Sequence, residues 1–150
     1  MSPEPANATG RRFAICVARF YEELADRLVA GAQAALAEAG APAADVWEVP
    51  GAFELALAAR ICARSGRYAG VVCLGAVIRG ETDHYDYVCA EAARGISQVG
   101  LETGVPCGFG VLTVESMDQA LARSGGDKRD SGRHAAEAVL GLVALEVAVG

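Results

Sequence analysis

The chain has 150 residues, 13 of them Lys or Arg and 19 Asp or Glu, for a formal net charge of −6. That length predicts one domain with a sizeable core, and 53% hydrophobic against 21% charged residues excludes a disordered chain. The acidic balance excludes general nucleic-acid affinity, which needs basic surface to displace counterions. A phosphorylated small molecule would have to meet a local positive site. The mean hydropathy of +0.27 is high for a soluble monomer and leaves apolar surface to be covered.

Residues 1–12 hold two Pro, one Gly and no periodic pattern, and read as a flexible tail before a domain at 13–150. They contain no apolar stretch of signal-peptide length. Apolar runs without polar alternation follow at 13–18, 68–78 and 105–114, and 45–49 is a fourth, shorter strand candidate. Strands apolar on both faces belong to parallel sheets covered on each side. Between them, 21–40 carries Leu24, Leu28, Ala32, Ala35, Leu36 and Ala39 on one helical stripe, closed by Gly40 and Pro42. Segments 52–64, 85–103 and 116–124 have the same period. The alternation predicts a single α/β domain, a three-layer sandwich with a four-stranded parallel sheet and helices on both faces.

The last helix, 134–149, has only Glu137 and Glu146 as carboxylates, nine residues apart and on opposite faces at about 100° per residue. A helix apolar nearly all round is expected to be buried nearly all round. One face of a sheet cannot do that, so the pattern predicts a homo-oligomer. Its apolar tract, broken by Glu146, is shorter than the roughly 20 residues that span a bilayer. Cys16, Cys62, Cys73, Cys89 and Cys107 are odd in number and form no C-x-x-C pair. Free thiols in the cytoplasm are expected, without a disulfide framework or zinc site.

Ligands of an open α/β sheet bind beyond the carboxyl ends of its strands, which selects four loops. After the first strand comes Phe20, which either stacks on a planar ligand or packs on the next helix. After the second, Pro50-Gly51 turns the chain and exposes Ala52, Phe53 and Glu54 at a helix amino end. Free N–H groups there can read a heterocycle's carbonyl edge, while Glu54 could equally serve only the helix dipole. The third loop, Leu74 to Tyr87, has Gly80 for a sharp turn, a helix capped by Thr82 or Asp83, and His84 beside that anion-binding end. Imidazole gives and takes protons near neutral pH; no second histidine stands at metal-ligand spacing. Past the fourth strand, Arg123, Lys128, Arg129 and Arg133 gather four of thirteen basic groups in eleven residues. Arg123 is the expected phosphate ligand, through paired guanidinium bonds. Lys128, the chain's single lysine, lies in a polar segment unsuited to Schiff-base chemistry, so any imine nitrogen must come from a substrate.

VPGAFE at 49–54, LGAVIRGETDHYDYVC at 74–89 and FGVLTVES at 109–116 closely resemble the lumazine synthase family, in order from about Phe13 to the last helix. The resemblance implies a flavodoxin-like fold and the joining of 5-amino-6-(D-ribitylamino)uracil to 3,4-dihydroxy-2-butanone 4-phosphate, without metal or organic cofactor. It implies that Phe20 stacks on the pyrimidine, and that Ala52, Phe53, Glu54, Ala76, Val77 and Ile78 hold the uracil and ribityl groups. Glu81, Thr82 and Arg123 would bind the butanone phosphate, His84 would donate the proton, and a neighbouring subunit would supply Phe109 and Arg123. Pentamers, in some members twelve of them in a hollow icosahedral 60-subunit shell, are implied, as is riboflavin synthase as a partner. One departure is Ser131 before Gly132, where the family commonly has lysine; Lys128 or Arg129 would supply the charge. The competing readings are a non-catalytic flavin- or lumazine-binding paralogue on the same fold, expected to lose His84 or Arg123, and a structural shell protein.

Overall fold

FAICVA forms β1 (Phe13–Ala18), and all six side chains are buried, as a strand covered on both faces requires. The computed structural model describes residues 1–150. After β1 come α1 (Glu22–Glu38), β2 (Asp45–Val49), a 3₁₀ turn at Ala52–Glu54, α2 (Leu55–Arg64), β3 (Gly70–Ile78), α3 (His84–Thr103), β4 (Cys107–Val114), α4 (Met117–Arg123) and α5 (Ser131–Val149). All strands are parallel in the order β2-β1-β3-β4, with Ile15 between Val46 and Val72, and Leu74 beside Gly110.

Alternation along the strands divides the core into two layers. Ile15, Val17, Val72 and Leu74 meet α1 and α5 through Leu24, Leu28 and Val139. Ala14, Cys16, Val71 and Cys73 point the other way, onto Leu55 of α2 and Ile96 of α3. This is the three-layer α/β sandwich expected from the apolar runs. All five cysteines are free. Burial pushes the Cys16 and Cys73 thiols well above their ordinary range and Cys107 up to about 11, so these three stay protonated and pack as small apolar groups.

Helix α5 begins three residues before the expected start. Asp130 caps it by accepting the Arg133 N–H at 3.1 Å. Gly132 has no side chain because a Cβ there would collide with the Leu28 carbonyl, so α5 can cross close to α1. Arg133 adds an ion pair to Glu38 at the end of α1. Within one chain α5 buries a single stripe, Ala135, Ala136, Val139 and Val143, while Leu142, Leu145 and Val149 face solvent. Burial all round is not reached inside the chain.

Segment 1–12 packs on the body at several points: Ala8 is fully buried and its N–H donates to the Ala39 carbonyl at 2.9 Å, Ala6 lies against the α1–α5 side of the core, and Arg12 bonds Asp45 at 2.6 Å while its carbonyl accepts the Ala69 N–H at 2.7 Å. No helix is long and apolar enough to cross a membrane.

Candidate active site

The chain leaves β1 toward β2 and leaves β3 toward β4, so a crevice opens between the carboxyl ends of β1 and β3. A cleft of about 620 Å³ lies there. Its floor is Ala76, Val77 and Ile78 at the end of β3. Gly75 just below lets β1 approach, since a Cβ there would stand 3.0 Å from that of Ala18.

One wall is Phe20. The loop carrying it is held by Arg19, which bonds Asp26 at 2.7 Å and Glu48 at 3.2 Å. The ring is 74% exposed and meets Tyr21 in a T-shaped pair with centroids 4.9 Å apart, so it keeps open surface for stacking.

The opposite wall is the turn Ala52–Glu54. It is a 3₁₀ turn rather than the first turn of α2, because the Glu54 carboxylate folds back to accept the Gly51 N–H at 2.9 Å. Ala52 is buried beneath it and is not exposed as the sequence suggested, whereas Phe53 projects outward. Glu54 therefore makes the local bond considered for it and still lines the cleft.

His84 opens α3 at the rim. Of the two expected caps, Thr82 makes the bond: its Oγ accepts the His84 backbone N–H at 3.3 Å, while Asp83 makes none. The Thr82 hydroxyl hydrogen stays free to donate. Glu81 and Thr82 sit exposed in the loop before His84 but do not form the cleft walls. Nearby, the Arg79 guanidinium lies 4.2 Å over the Tyr85 ring and bonds Glu115 at 2.9 Å and Asp86 at 3.4 Å, bracing the loop between β3, β4 and α3. Tyr87, Val88 and Glu91 complete the wall and were not singled out in the sequence. Their spacing of three, four and seven from His84 marks one helix face and could have been read.

Phe109 and Arg123 are not brought to this cleft. They line a second one of about 570 Å³ on the outer side of β4, with Arg129, Ser131 and His134. Edge position is the reason: β4 lies one strand beyond β3, and α4 carries Arg123 away from the β1–β3 crevice. No three His, Cys, Asp or Glu side chains converge as metal ligands.

The arrangement defines a doubly wound α/β protein with an aromatic-walled ligand cleft and an imidazole at its switch point. A family model described as 6,7-dimethyl-8-ribityllumazine synthase matches residues 10–146. A protein of Salinibacter ruber named 6,7-dimethyl-8-ribityllumazine synthase is 47% identical over 138 residues, covering 91% of this chain and 88% of that one. One of Desulfatibacillum aliphaticivorans with the same name is 47% identical over 141 residues, covering 93% and 91%. The chain belongs to the 6,7-dimethyl-8-ribityllumazine synthase family, transferases of riboflavin biosynthesis.

Proposed function

We propose that the chain condenses 5-amino-6-(D-ribitylamino)uracil with 3,4-dihydroxy-2-butanone 4-phosphate to 6,7-dimethyl-8-ribityllumazine, releasing one orthophosphate and two waters. The observation that carries this reading is the single cleft where Phe20, Phe53 and Ala76–Ile78 make an apolar slot with His84 at its rim. The pyrimidine stacks on Phe20, and Ala52, Phe53 and Glu54 with the end of β3 hold the uracil and ribityl groups. The 5-amino nitrogen attacks the ketone and expels water as the imine forms; His84 moves the protons. Phosphate then leaves, stabilised by Thr82, the Glu81 segment and an Arg123. The ribitylamino nitrogen closes the ring with loss of the second water. Holding both reactants in register supplies much of the acceleration, up to about 7–11 kcal/mol. Incubating the protein with both substrates is expected to produce lumazine absorbance; none would reject the reading. A non-catalytic paralogue would be expected to lack His84 or Arg123, and both are present.

The site is completed by a second copy. Val46 and Trp47 on β2 and Leu57 and Ile61 on α2 are exposed on one side of the sheet. On the other, Leu101 of α3 and Leu142 and Leu145 of α5 line a groove past β4. Two different apolar surfaces on opposite edges suit head-to-tail association, which closes into a ring. Phe109 and Arg123 on the second edge would then enter the neighbour's His84 cleft. Five subunits, or a multiple up to a 60-subunit shell, fit this reading, with 13–150 as the domain, 1–12 as an N-terminal tail tethered at Ala6, Ala8 and Arg12, a cytoplasmic setting and riboflavin synthase as partner. Light scattering is expected to give five times 15.4 kDa or a multiple; a stable monomer would refute it. Arg123→Ala is expected to raise KM for the butanone phosphate about tenfold or more and leave KM for the uracil substrate in place; movement of the uracil constant alone would reassign Arg123.

A further inference from the structure

Twelve of the thirteen basic residues are arginines, and seven of these are spent on carboxylates: Arg12, Arg19, Arg60, Arg67, Arg79, Arg94 and Arg133. Arg27 gives its fork to the Leu121 and Ser124 carbonyls at 2.9 and 3.0 Å. Arg11, Arg64, Arg123 and Arg129 have no carboxylate partner, although acidic groups outnumber basic ones by six, and of these four Arg123 and Arg129 open together on the second cleft. Their only side-chain hydrogen bonds are Arg123 Nη1 to the Gln119 carbonyl at 3.1 Å and Arg129 Nη2 with His134 Nδ1 at 3.4 Å. Each keeps further N–H donors for a ligand.

The loop that brings them together is built, not loose. Lys128 and Arg129 donate their backbone N–H groups to the Ala122 carbonyl at 2.9 and 3.2 Å, and Gly125, at φ +88°, donates to the Arg129 carbonyl at 3.1 Å. Ser124 pairs with Asp130 as an isolated bridge and is held from α1 by Arg27. The chain thus doubles back so that residues 123 and 129 share a cleft, while Lys128 does not line it. Asp130, the nearest acid in sequence to Arg129, is turned to the Arg133 amide.

We infer that Arg129 is a second phosphate-binding residue, gripping the phosphate monoester of the ketone substrate together with Arg123, with the Ser131 hydroxyl and His134 beside it. The inference rests on the function proposed above and adds the residue that neutralises the second charge of a phosphate dianion. It also decides between the two candidates in the basic run: Arg129 binds and Lys128 does not. A guanidinium offers two parallel N–H groups to a phosphate, which an ammonium cannot.

Steady-state kinetics on the assembled enzyme test it. Arg129→Ala is expected to raise KM for the butanone phosphate about tenfold, to weaken competitive inhibition by inorganic phosphate by the same factor, and to leave KM for the uracil substrate unchanged. Arg129→Lys should recover only part of the loss, and Lys128→Ala should match the unmodified protein in all three constants. An unchanged phosphate-substrate KM in Arg129→Ala, or a rise in Lys128→Ala instead, overturns the inference. If no lumazine forms at all, the function reading fails on its own. Titration of the unmodified protein and Arg129→Ala with inorganic phosphate then still decides the anion site: weaker binding by the variant supports it, and equal binding overturns it.

Discussion

Replacing His84 by alanine is expected to lower kcat by roughly tenfold to a hundredfold, at or below the low end of what a positioned acid–base group contributes. The low end applies because His84 stands exposed at the rim, where water can relay part of the proton traffic. The uracil substrate should bind as before, since the slot proposed for it is Phe20, the Ala52–Glu54 turn and the end of β3, apart from the proton transfer assigned to the imidazole. Separate determination of kcat and both KM values checks this. An unchanged kcat would remove His84 from the proton path, and a large rise in the uracil KM alone would make it a binding residue.

Leu74→Ala is expected to cost about 2–5 kcal/mol of stability. Leu74 is fully buried at the middle of β3. It fills space that Gly110 on the adjoining strand leaves open, where a Cβ would approach its Cδ2 to 2.6 Å. Main chain lines that space on the β4 side, so the hole left by alanine cannot close by side-chain movement. Urea titration at fixed protein concentration should show a lower midpoint with an unchanged slope. A shift equivalent to less than about 1 kcal/mol would mean that the strands collapse around the smaller residue.

β1 and β3 were legible because strands covered on both faces are continuous apolar runs, and β1 keeps the bounds of its run. β2 spans the expected 45–49 but lies at the sheet edge, carries Asp45 and Glu48, and leaves Val46, Trp47 and Glu48 exposed. The runs at 68–78 and 105–114 overshoot, since β3 starts at Gly70 and β4 at Cys107. Hydrophobicity alone does not place the ladder: Tyr68 turns its hydroxyl to Asp45 at 2.7 Å, and Pro106 has no N–H to offer. Gly132 misled the reading of α5 because a helix-weakening residue is needed there for contact with α1. The first cleft was legible from the rule that ligands sit at strand carboxyl ends, which collected Phe20, the Ala52–Glu54 turn, Ala76–Ile78 and His84. The choice of Arg129 over Lys128 as the companion of Arg123 was not, because it depends on backbone bonds from residues 128 and 129 to Ala122 that no spacing announces.

If the reaction needs His84 from one copy and Arg123 from the next, mixing subunits reveals it. His84→Ala and Arg123→Ala chains are co-refolded in equal amounts and assayed below the KM of the butanone phosphate. In a head-to-tail ring, about one interface in four then pairs an intact His84 with an intact Arg123. The mixture should accordingly regain close to a quarter of the unmodified activity, far above either variant alone. Activity no greater than the average of the two separate variants would contradict it, and would put both groups in the service of a site within a single chain.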